Sequence, residues 1–484
     1  MKGFAFSLAR DAYLREDIDG FHLISRHPPK MLRVNRSLFQ LLNHIQTGGE
    51  LAGFHELNPG LDRARVLRTL LSLVAKDYLK LETIAELVSY PAVSIIVPVH
   101  NQPGDLRECL ASLQNLDYPR NRREIIVVDD GSREELSPEF SSPNIRVIRQ
   151  AEPGGPAAAR NTGAAGASGE IFAFLDADCV AGKSWLRELV PFFQAAGLGA
   201  AGGYIEGYRR RTLLDRYESA ASPLNMGNRL RLEGKTVSTF YVPTANMLVT
   251  RECFMSTDGF NSRRRLGEDV DFCWRLRQLG YSLLYIPAGS VAHKHRNRPG
   301  EMLRRRFQYG TSEASLYRAH CAKKKTFVFP VFAGLSFLAL AMAILLLNPY
   351  PLAAMPLLFL ADLWHRSAAS RKIKTSLAFM PLAGSAFRTH FSFIYFACFH
   401  LVRYYLVLII GLGFLWYPFW FFGGLAVIDT SAVDYRVKKP ELLYPVFLFF
   451  YILEHLAYQL GVLLGCVRAG YFGSYRLAFR SSGF

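Results

Sequence analysis

The fold is constrained most by four short apolar runs between residues 91 and 322, which are separated by helical stretches. These runs are Val93–Val97, Glu124–Val128, Ile145–Ile148 and Ile171–Leu175. A strand that is apolar almost throughout is buried on both faces, and intervening helices allow such strands to pair in parallel. The sequence therefore predicts an α/β domain with a parallel sheet over residues 91–322.

A smaller region precedes this domain. Residues 1–90 contain short alternating stretches followed by two helical patterns, Ser37–Ile45 and Leu61–Tyr78, which predict a small α+β domain. The first ten residues lack the apolar core of a signal peptide, so we expect this half of the chain to stay in the cytoplasm.

The last region, residues 323–484, has the composition of a membrane-associated helical region. Thr326–Leu347 runs for 22 residues without a charge, against about 20 needed for a helix to cross the hydrocarbon core. This run predicts a first span. Two more apolar blocks, Phe391–Ile428 and Leu442–Val467, leave the number of spans open, and a re-entrant or in-plane helix is an alternative. Basic residues in the hydrophilic connectors predict that these connectors face the cytoplasm. We therefore expect the chain in the inner cell membrane, with residues 91–322 on the cytoplasmic side.

Charge and cysteine content narrow the partners further. The chain of 484 residues has 57 Lys and Arg against 40 Asp and Glu, a net charge of +17. Much of the excess clusters between Arg296 and Lys325, beside the first long apolar run, so we expect anionic membrane lipid as the partner and not nucleic acid. The seven cysteines are scattered and never spaced Cys-x-x-Cys, which argues against a disulfide framework or a zinc knuckle.

Polar side chains follow three of the apolar runs, at the sheet edge where α/β proteins bind ligands. Pro98 and Asn101 follow the first run, the pair Asp129 and Asp130 follows the second, and Asp176 and Asp178 follow the fourth. A carboxylate that follows the second run can accept a hydrogen bond from the imide N–H of uracil or from a ribose hydroxyl. The alternative is a simple turn, which can have the same Asp-Asp-Gly sequence. The Asp-Ala-Asp pair can share a divalent cation, Mn²⁺ or Mg²⁺, that neutralises a departing diphosphate; a solvated turn is the alternative.

Two further segments carry candidate functional groups. A Gly-rich turn, Gly154–Asn161, leads into a helix of small residues with Arg160, which can reach a phosphate or a base. Glu268 and Asp269 open a helical stretch after Gly267. Acids at a helix N-terminus stabilise the helix, but a carboxylate there can also act as a general base.

In this order, these motifs resemble the catalytic domain of glycosyltransferase family 2, which has the GT-A fold. The resemblance implies a nucleotide-sugar donor, an inverting transfer and a metal held through Asp178, with Asp176 on the ribose or the metal. It also implies that Asp129 contacts uracil in a pocket shaped by Pro98 and Asn101, that Asp269 is the base, and that Glu268 holds geometry or an acceptor hydroxyl. His293 is either a further metal or diphosphate ligand or a structural histidine.

Within that family, three runs resemble the glycosyltransferases of the mycofactocin system: Tyr241–Met247, Gly267–Leu276 and Ala292–His295 with Phe307–Gly310. This implies transfer of glucose from UDP-glucose to a peptide-derived redox cofactor precursor, building a short β-linked chain. Residues 1–90 would then bind the peptide, or serve as a structural cap.

The sequence also bears on three other functions. The alternative transferase acts on a polyprenyl-phosphate or glycolipid acceptor in cell-envelope polysaccharide synthesis, where Arg304, Arg305 and Arg306 would suit a lipid phosphate. Processive synthases carry Gln-x-x-Arg-Trp where this chain reads Leu303–Gly310, so a polymer-extruding channel is disfavoured. A catalytically silent scaffold is disfavoured, because such a protein could lose any of the acidic residues of the motifs. This chain keeps Asp129, Asp176, Asp178, Glu268 and Asp269.

Overall fold

The computed structural model describes residues 3–26, 29–323, 325–372 and 379–481. Residues 373–378, which belong to one of the hydrophilic connectors, lie outside the described residues. The cytoplasmic location of that connector stays a prediction. The chain forms two compact units: Met1–Ala9 with Ser37–Asn297, and Arg10–Arg36 with Arg298–Phe484. These two units do not coincide with the predicted segments 1–90, 91–322 and 323–484. The division into three domains stays a prediction.

The described strands and helices follow one another along the whole chain. The strands are β1 (Ala5–Leu8), β2 (Ala12–Asp17), β3 (Gly20–Arg26), β4 (Pro29–Val34), β5 (Leu79–Thr83), β6 (Val93–Val99), β7 (Arg123–Asp129), β8 (Ile145–Arg149), β9 (Ile171–Phe174), β10 (Cys179–Ala181), β11 (Leu198–Gly202), β12 (Ile205–Gly207), β13 (Arg231–Glu233), β14 (Met247–Thr250), β15 (Ser282–Tyr285), β16 (Val291–His293), β17 (Lys325–Phe329) and β18 (Leu477–Ser481). The helices are α1 (Arg36–Gln46), α2 (Leu51–Leu57), α3 (Arg63–Ala75), α4 (Pro103–Gln114), α5 (Ser137–Phe140), α6 (Pro156–Ala165), α7 (Trp185–Leu189), α8 (Leu213–Ala221), α9 (Arg251–Ser256), α10 (Glu268–Gln278), α11 (Pro299–Ala319), α12 (Val331–Leu345), α13 (Ala354–Lys372), α14 (Phe379–Leu415), α15 (Pro418–Lys438) and α16 (Tyr444–Ala469).

An eight-stranded sheet organises the first unit, in the order β13-β15-β11-β14-β9-β6-β7-β8. The four apolar runs predicted as strands are β6 to β9, and they pair in parallel as expected. The sheet as a whole is mixed, because β14 runs antiparallel to both β9 and β11. After β11 the chain first adds the edge strand β13, which runs antiparallel to β15, and it then enters β14 at the carboxyl edge with Met247 beside Gly202. The predicted α/β class is confirmed, and the all-parallel sheet is corrected to a mixed one.

A smaller sheet, β10-β16-β12, brings distant parts of the chain together in the same unit. In it Cys179 pairs with His293 across antiparallel strands, and Gly207 pairs with His293 on the other side. Since β10 begins directly after Asp178, this pairing brings His293 next to the Asp-Ala-Asp motif.

The second unit contains the meander β2-β3-β4 and the helices α11 to α16. The predicted span Thr326–Leu347 is wrong, because its first residues form β17, which pairs with β18, and Pro330 precedes α12. With 15 residues, α12 rises about 22 Å against the roughly 30 Å of a hydrocarbon core. The block Phe391–Ile428 is likewise divided, because α14 ends at Leu415 and Pro418 opens α15.

Within the described ranges, two helices are long and apolar enough to cross a membrane. The helix α14 has 37 residues and α16 has 26, and an 18-residue window of each has a mean hydropathy of 1.9 and 1.6, respectively. The helix α11 packs along α16, and their contact includes a buried ion pair in which Arg306 Nε lies 3.5 Å from Glu454 Oε2. The three arginines expected to face a lipid phosphate therefore do not act together, since Arg306 faces the interior of the unit.

Candidate active site

The end of β7 is fixed by its two carboxylates. Asp130 accepts hydrogen bonds from Gly154 N at 2.7 Å and Gly155 N at 2.9 Å, so both oxygens hold the turn that opens α6. Asp129 is fully buried and its Oδ1 accepts from Ser132 N at 2.9 Å. These bonds shape the edge of the sheet, and the donor contacts predicted for Asp129 and Asp130 stay predictions.

The neighbouring end of β6 is hydrogen-bonded to the turn that follows β7. Asn101 has a φ of 55°, a left-handed conformation; its N donates to Ser132 Oγ at 2.9 Å and its Oδ1 accepts from Arg133 N at 2.9 Å. Its Nδ2 donates to His100 Nε2 at 2.8 Å. Pro98 lies in β6 opposite Val128. The predicted pocket residues Pro98 and Asn101 thus lie on one rigid edge, and their contact with a donor stays a prediction.

Arg160, on α6, lies between two carboxylates. Its side chain is 3% exposed, with Nη2 2.5 Å from Asp176 Oδ1 and Nη1 2.9 Å from Glu268 Oε1. Sequence reasoning expected this guanidinium to reach a phosphate or a base. In the structure both of its terminal nitrogens are engaged by protein, so Arg160 holds Asp176 and Glu268 in place.

The start of α10 presents the candidate base. Gly267 precedes it with a φ of 72°, a conformation that favours glycine. Asp269 Oδ1 accepts from Val270 N at 2.8 Å. Burial, followed by the neighbouring charge of Glu268, raises the pKa of Asp269 from 3.8 to about 7. A carboxylate with a pKa near neutrality is well matched to taking a proton at physiological pH.

Asp178 and His293 form the candidate metal centre. His293 Nε2 lies 3.5 Å from Asp178 Oδ1, and both side chains are largely buried. Burial raises the pKa of Asp178, while His293 opposes that rise. Cys179 is also within reach, and burial raises the pKa of its thiol well above the ordinary value.

The donor set fits a divalent cation. Two ligand atoms each about 2.1 Å from one ion lie roughly 3 to 4 Å apart, which matches the Asp178–His293 separation. A mixed carboxylate and imidazole pair suits Mn²⁺ better than Mg²⁺, which favours oxygen ligands. One oxygen of Asp176 is bound by Arg160, so any part of Asp176 in holding the ion would use the other oxygen.

Sequence reasoning missed the groups around this centre. Lys294 is buried, with Nζ 2.8 Å from Asp105 Oδ1 and 2.9 Å from Glu108 Oε2. His295 Nδ1 lies 3.1 Å from His293 Nδ1. The available signal was the alternation His-Lys-His, which on an extended chain places the two histidines on one face and the lysine on the other.

The chain is similar in sequence to known glycosyltransferases. The sequence model described as glycosyl transferase family 2 matches residues 94–256. The chain is 35% identical over 241 residues to a pre-mycofactocin glycosyltransferase of Mycobacterium tuberculosis, which covers 48% of this chain and 49% of that protein. It is also 32% identical over 235 residues to glycosyltransferase AglE of Haloferax volcanii, covering 47% of this chain and 74% of that one.

The extent of these similarities differs. The chain spans about half the length of the mycobacterial relative it matches. Among solved structures, a mannosyltransferase of Pyrobaculum calidifontis in complex with GDP-Man and Mn²⁺ is similar with a TM-score of 0.38 and 19% identity, covering 63% of this chain and 89% of that one. The mixed sheet and the family match together confirm the fold class expected from the sequence.

Proposed function

The chain belongs to glycosyl transferase family 2 and is a glycosyltransferase, and on that premise we propose that it transfers glucose from UDP-glucose, with inversion and with a divalent metal, to a peptide-derived redox cofactor precursor. The observation that carries the proposal is the arrangement in which Arg160 joins Asp176 to Glu268, next to Asp269, while Asp178, two residues from Asp176, faces His293. It combines a candidate metal centre with a carboxylate whose pKa is about 7.

The chemistry follows from these groups. An inverting transfer is one displacement at the anomeric carbon, in which the acceptor oxygen forms a bond as the bond to the diphosphate oxygen breaks. Asp269 takes the proton of the acceptor hydroxyl, and Arg160 keeps Glu268 in place beside it. The cation, when bound by Asp178 and His293, supplies positive charge for the departing UDP.

The acceptor is proposed from the name of the mycobacterial relative, a pre-mycofactocin glycosyltransferase, with which the chain is 35% identical over 241 residues. A peptide-derived acceptor would also give residues 1–90 a role in recognition. The product would be a short β-linked chain of glucose, made by a protein associated with the inner membrane through its C-terminal helices.

The test uses purified full-length protein in detergent. UDP release is measured with UDP-glucose and other nucleotide sugars, with peptide-derived and lipid-linked acceptors, and with Mn²⁺, Mg²⁺ or EDTA. Turnover should require UDP-glucose, the peptide-derived acceptor and a divalent cation, and Asp178→Ala should weaken metal-dependent turnover. Full activity in EDTA would contradict the metal, and a preference for another donor would contradict glucose.

A second candidate has its own supporting observation. The helices α14 and α16 are long and apolar enough to span a bilayer, which favours a polyprenyl-phosphate or glycolipid acceptor that is already in the membrane. In the same assay, UDP release with the lipid acceptor and none with the peptide-derived acceptor would favour this candidate over the first.

A further inference from the structure

The segment His293-Lys294-His295 presents alternating faces at the candidate metal centre. His293 ends β16, and the two histidine rings contact each other with centroids 4.7 Å apart. Lys294 points to the opposite face, where it is buried. The segment therefore has one face toward Asp178 and one face toward α4.

The lysine face fixes the backbone of the segment. Lys294 Nζ is held by Asp105 and Glu108, which lie on the first two turns of α4, and the Tyr208 ring lies 5.2 Å from the ammonium. The Lys294 backbone N also donates to Asp178 O at 2.9 Å. With the backbone held from two sides, the histidine rings keep only their side-chain rotations, and the contact between them restricts those.

The contact between the histidines admits two proton arrangements. Their Nδ1 atoms are 3.1 Å apart, so one must carry the hydrogen and the other must accept it. If His295 donates, a neutral His293 carries its hydrogen on Nε2, which is the atom 3.5 Å from Asp178 Oδ1. If His293 donates from Nδ1, its Nε2 lone pair is left facing Asp178.

We propose that His295 is a positioning residue that accepts the Nδ1 hydrogen of His293 and so keeps His293 Nε2 unprotonated to bind a divalent cation together with Asp178. A histidine that binds a metal through one nitrogen usually donates its other N–H to a protein acceptor, which sets the tautomer and the ring orientation. His295 itself does not bind the ion, because it contacts the side of the His293 ring away from Asp178. This inference rests on the metal centre of the proposed function.

The test measures Mn²⁺ affinity of the full-length protein by calorimetry, without substrate. His295→Leu removes the acceptor and should weaken Mn²⁺ binding by about 10 to 100-fold, the usual effect of losing such a partner. His295→Asn keeps an acceptor oxygen close to the position of Nδ1 and should bind Mn²⁺ within about threefold of the wild type. Thermal unfolding of each variant checks that the fold is kept, and His295→Ala replaces the leucine variant if that variant does not fold.

Pulsed electron paramagnetic resonance of bound Mn²⁺ gives a second measurement, which counts the imidazoles bound to the ion. One coordinated imidazole is expected, and its signal should vanish in His293→Ala and persist in His295→Asn. Wild-type affinity in His295→Leu, equal losses in the Leu and Asn variants, or two coordinated imidazoles would each overturn the assignment of His295.

Two further variants separate this inference from the proposed function. If Asp178→Ala and His293→Ala both lose Mn²⁺ affinity while His295→Leu keeps it, the metal centre stands and only the role of His295 is wrong. If Asp178→Ala and His293→Ala both bind Mn²⁺ as the wild type does, the metal centre is wrong and the inference about His295 is overturned with it.

Discussion

Asp269 is the single residue on which the proposed reaction depends most. General-base catalysis typically contributes about 10² to 10⁴-fold, so Asp269→Asn should lower turnover by that order while UDP-glucose affinity stays nearly unchanged. UDP release gives the turnover, and calorimetry gives the affinity. The matched control is Asp258→Asn, an exposed position with a φ of 55° that asparagine tolerates. Near wild-type turnover in Asp269→Asn, or an α-linked product, would contradict the base and the inverting assignment.

The pKa of the same carboxyl predicts the pH dependence of the reaction. Asp269 works as a base only when ionised, and its pKa is raised to about 7. The value of kcat/KM should therefore fall about tenfold for each pH unit below roughly 7 and level off above it. An ordinary aspartate, with a pKa of 3.8, would leave the rate flat over that range. Asp269→Asn should lose this acidic limb, and its persistence would show that another group is responsible.

The residues of the site differ in how far sequence could predict them. Asp176, Asp178, Glu268 and Asp269 follow apolar runs or open a helix, and such local patterns are visible in the sequence. The partner of Arg160 is not visible, because Glu268 lies 108 residues away. Sequence shows which side chains lie near the carboxyl edge of the sheet, but hydrogen-bond partners depend on how distant loops pack.

At the scale of elements, the contact between α11 and α16 depends on three glycines. Gly310 lies against the backbone of Tyr458 and Gly461, and Gly461 and Gly465 lie against Phe307 and Thr311. A side chain at Gly461 would collide with the carbonyl of Phe307, which belongs to a backbone that cannot move aside alone. Such small residues allow two helix backbones to approach closely.

Gly461→Leu should therefore destabilise the second unit by at least about 1 to 3 kcal/mol, the usual cost of overpacking. Thermal unfolding in detergent measures this loss. Gly424→Leu is the matched control, since Gly424 is also helical and has no atom within 4 Å of the position of an added side chain. Equal stability of the two variants would show that α11 and α16 are not closely packed at Gly461.

The elements also show where hydropathy alone misleads. Thr326–Leu347 is uncharged for long enough to span a bilayer, yet Pro330 divides it into β17 and α12. Proline lacks a backbone N–H and is tolerated at a helix start but not within it. The strand β17 pairs with β18, which lies about 150 residues later in the sequence. Neither segment alone could predict this pairing.

At the scale of the whole molecule, the basic connectors predict that residues 91–322 lie on the cytoplasmic side of a membrane. All seven cysteines are described and free, and Cys321 alone among them is exposed. It follows α11 by two residues, within the basic segment that the positive-inside rule assigns to the cytoplasm. Cys321 is therefore a natural reporter of orientation, because the buried cysteines should react slowly in the folded protein.

In a bacterial host, a membrane-impermeant maleimide should label the full-length protein only after the inner membrane is made permeable. Intact cells whose outer membrane alone is opened should give no labelling, because Cys321 would face the cytoplasm. Cys321→Ser should abolish the signal and so identify the site, while UDP release shows that the variant remains folded. Labelling before the inner membrane is made permeable would place Cys321 outside the cytoplasm. That result would contradict the cytoplasmic orientation predicted from the basic connectors.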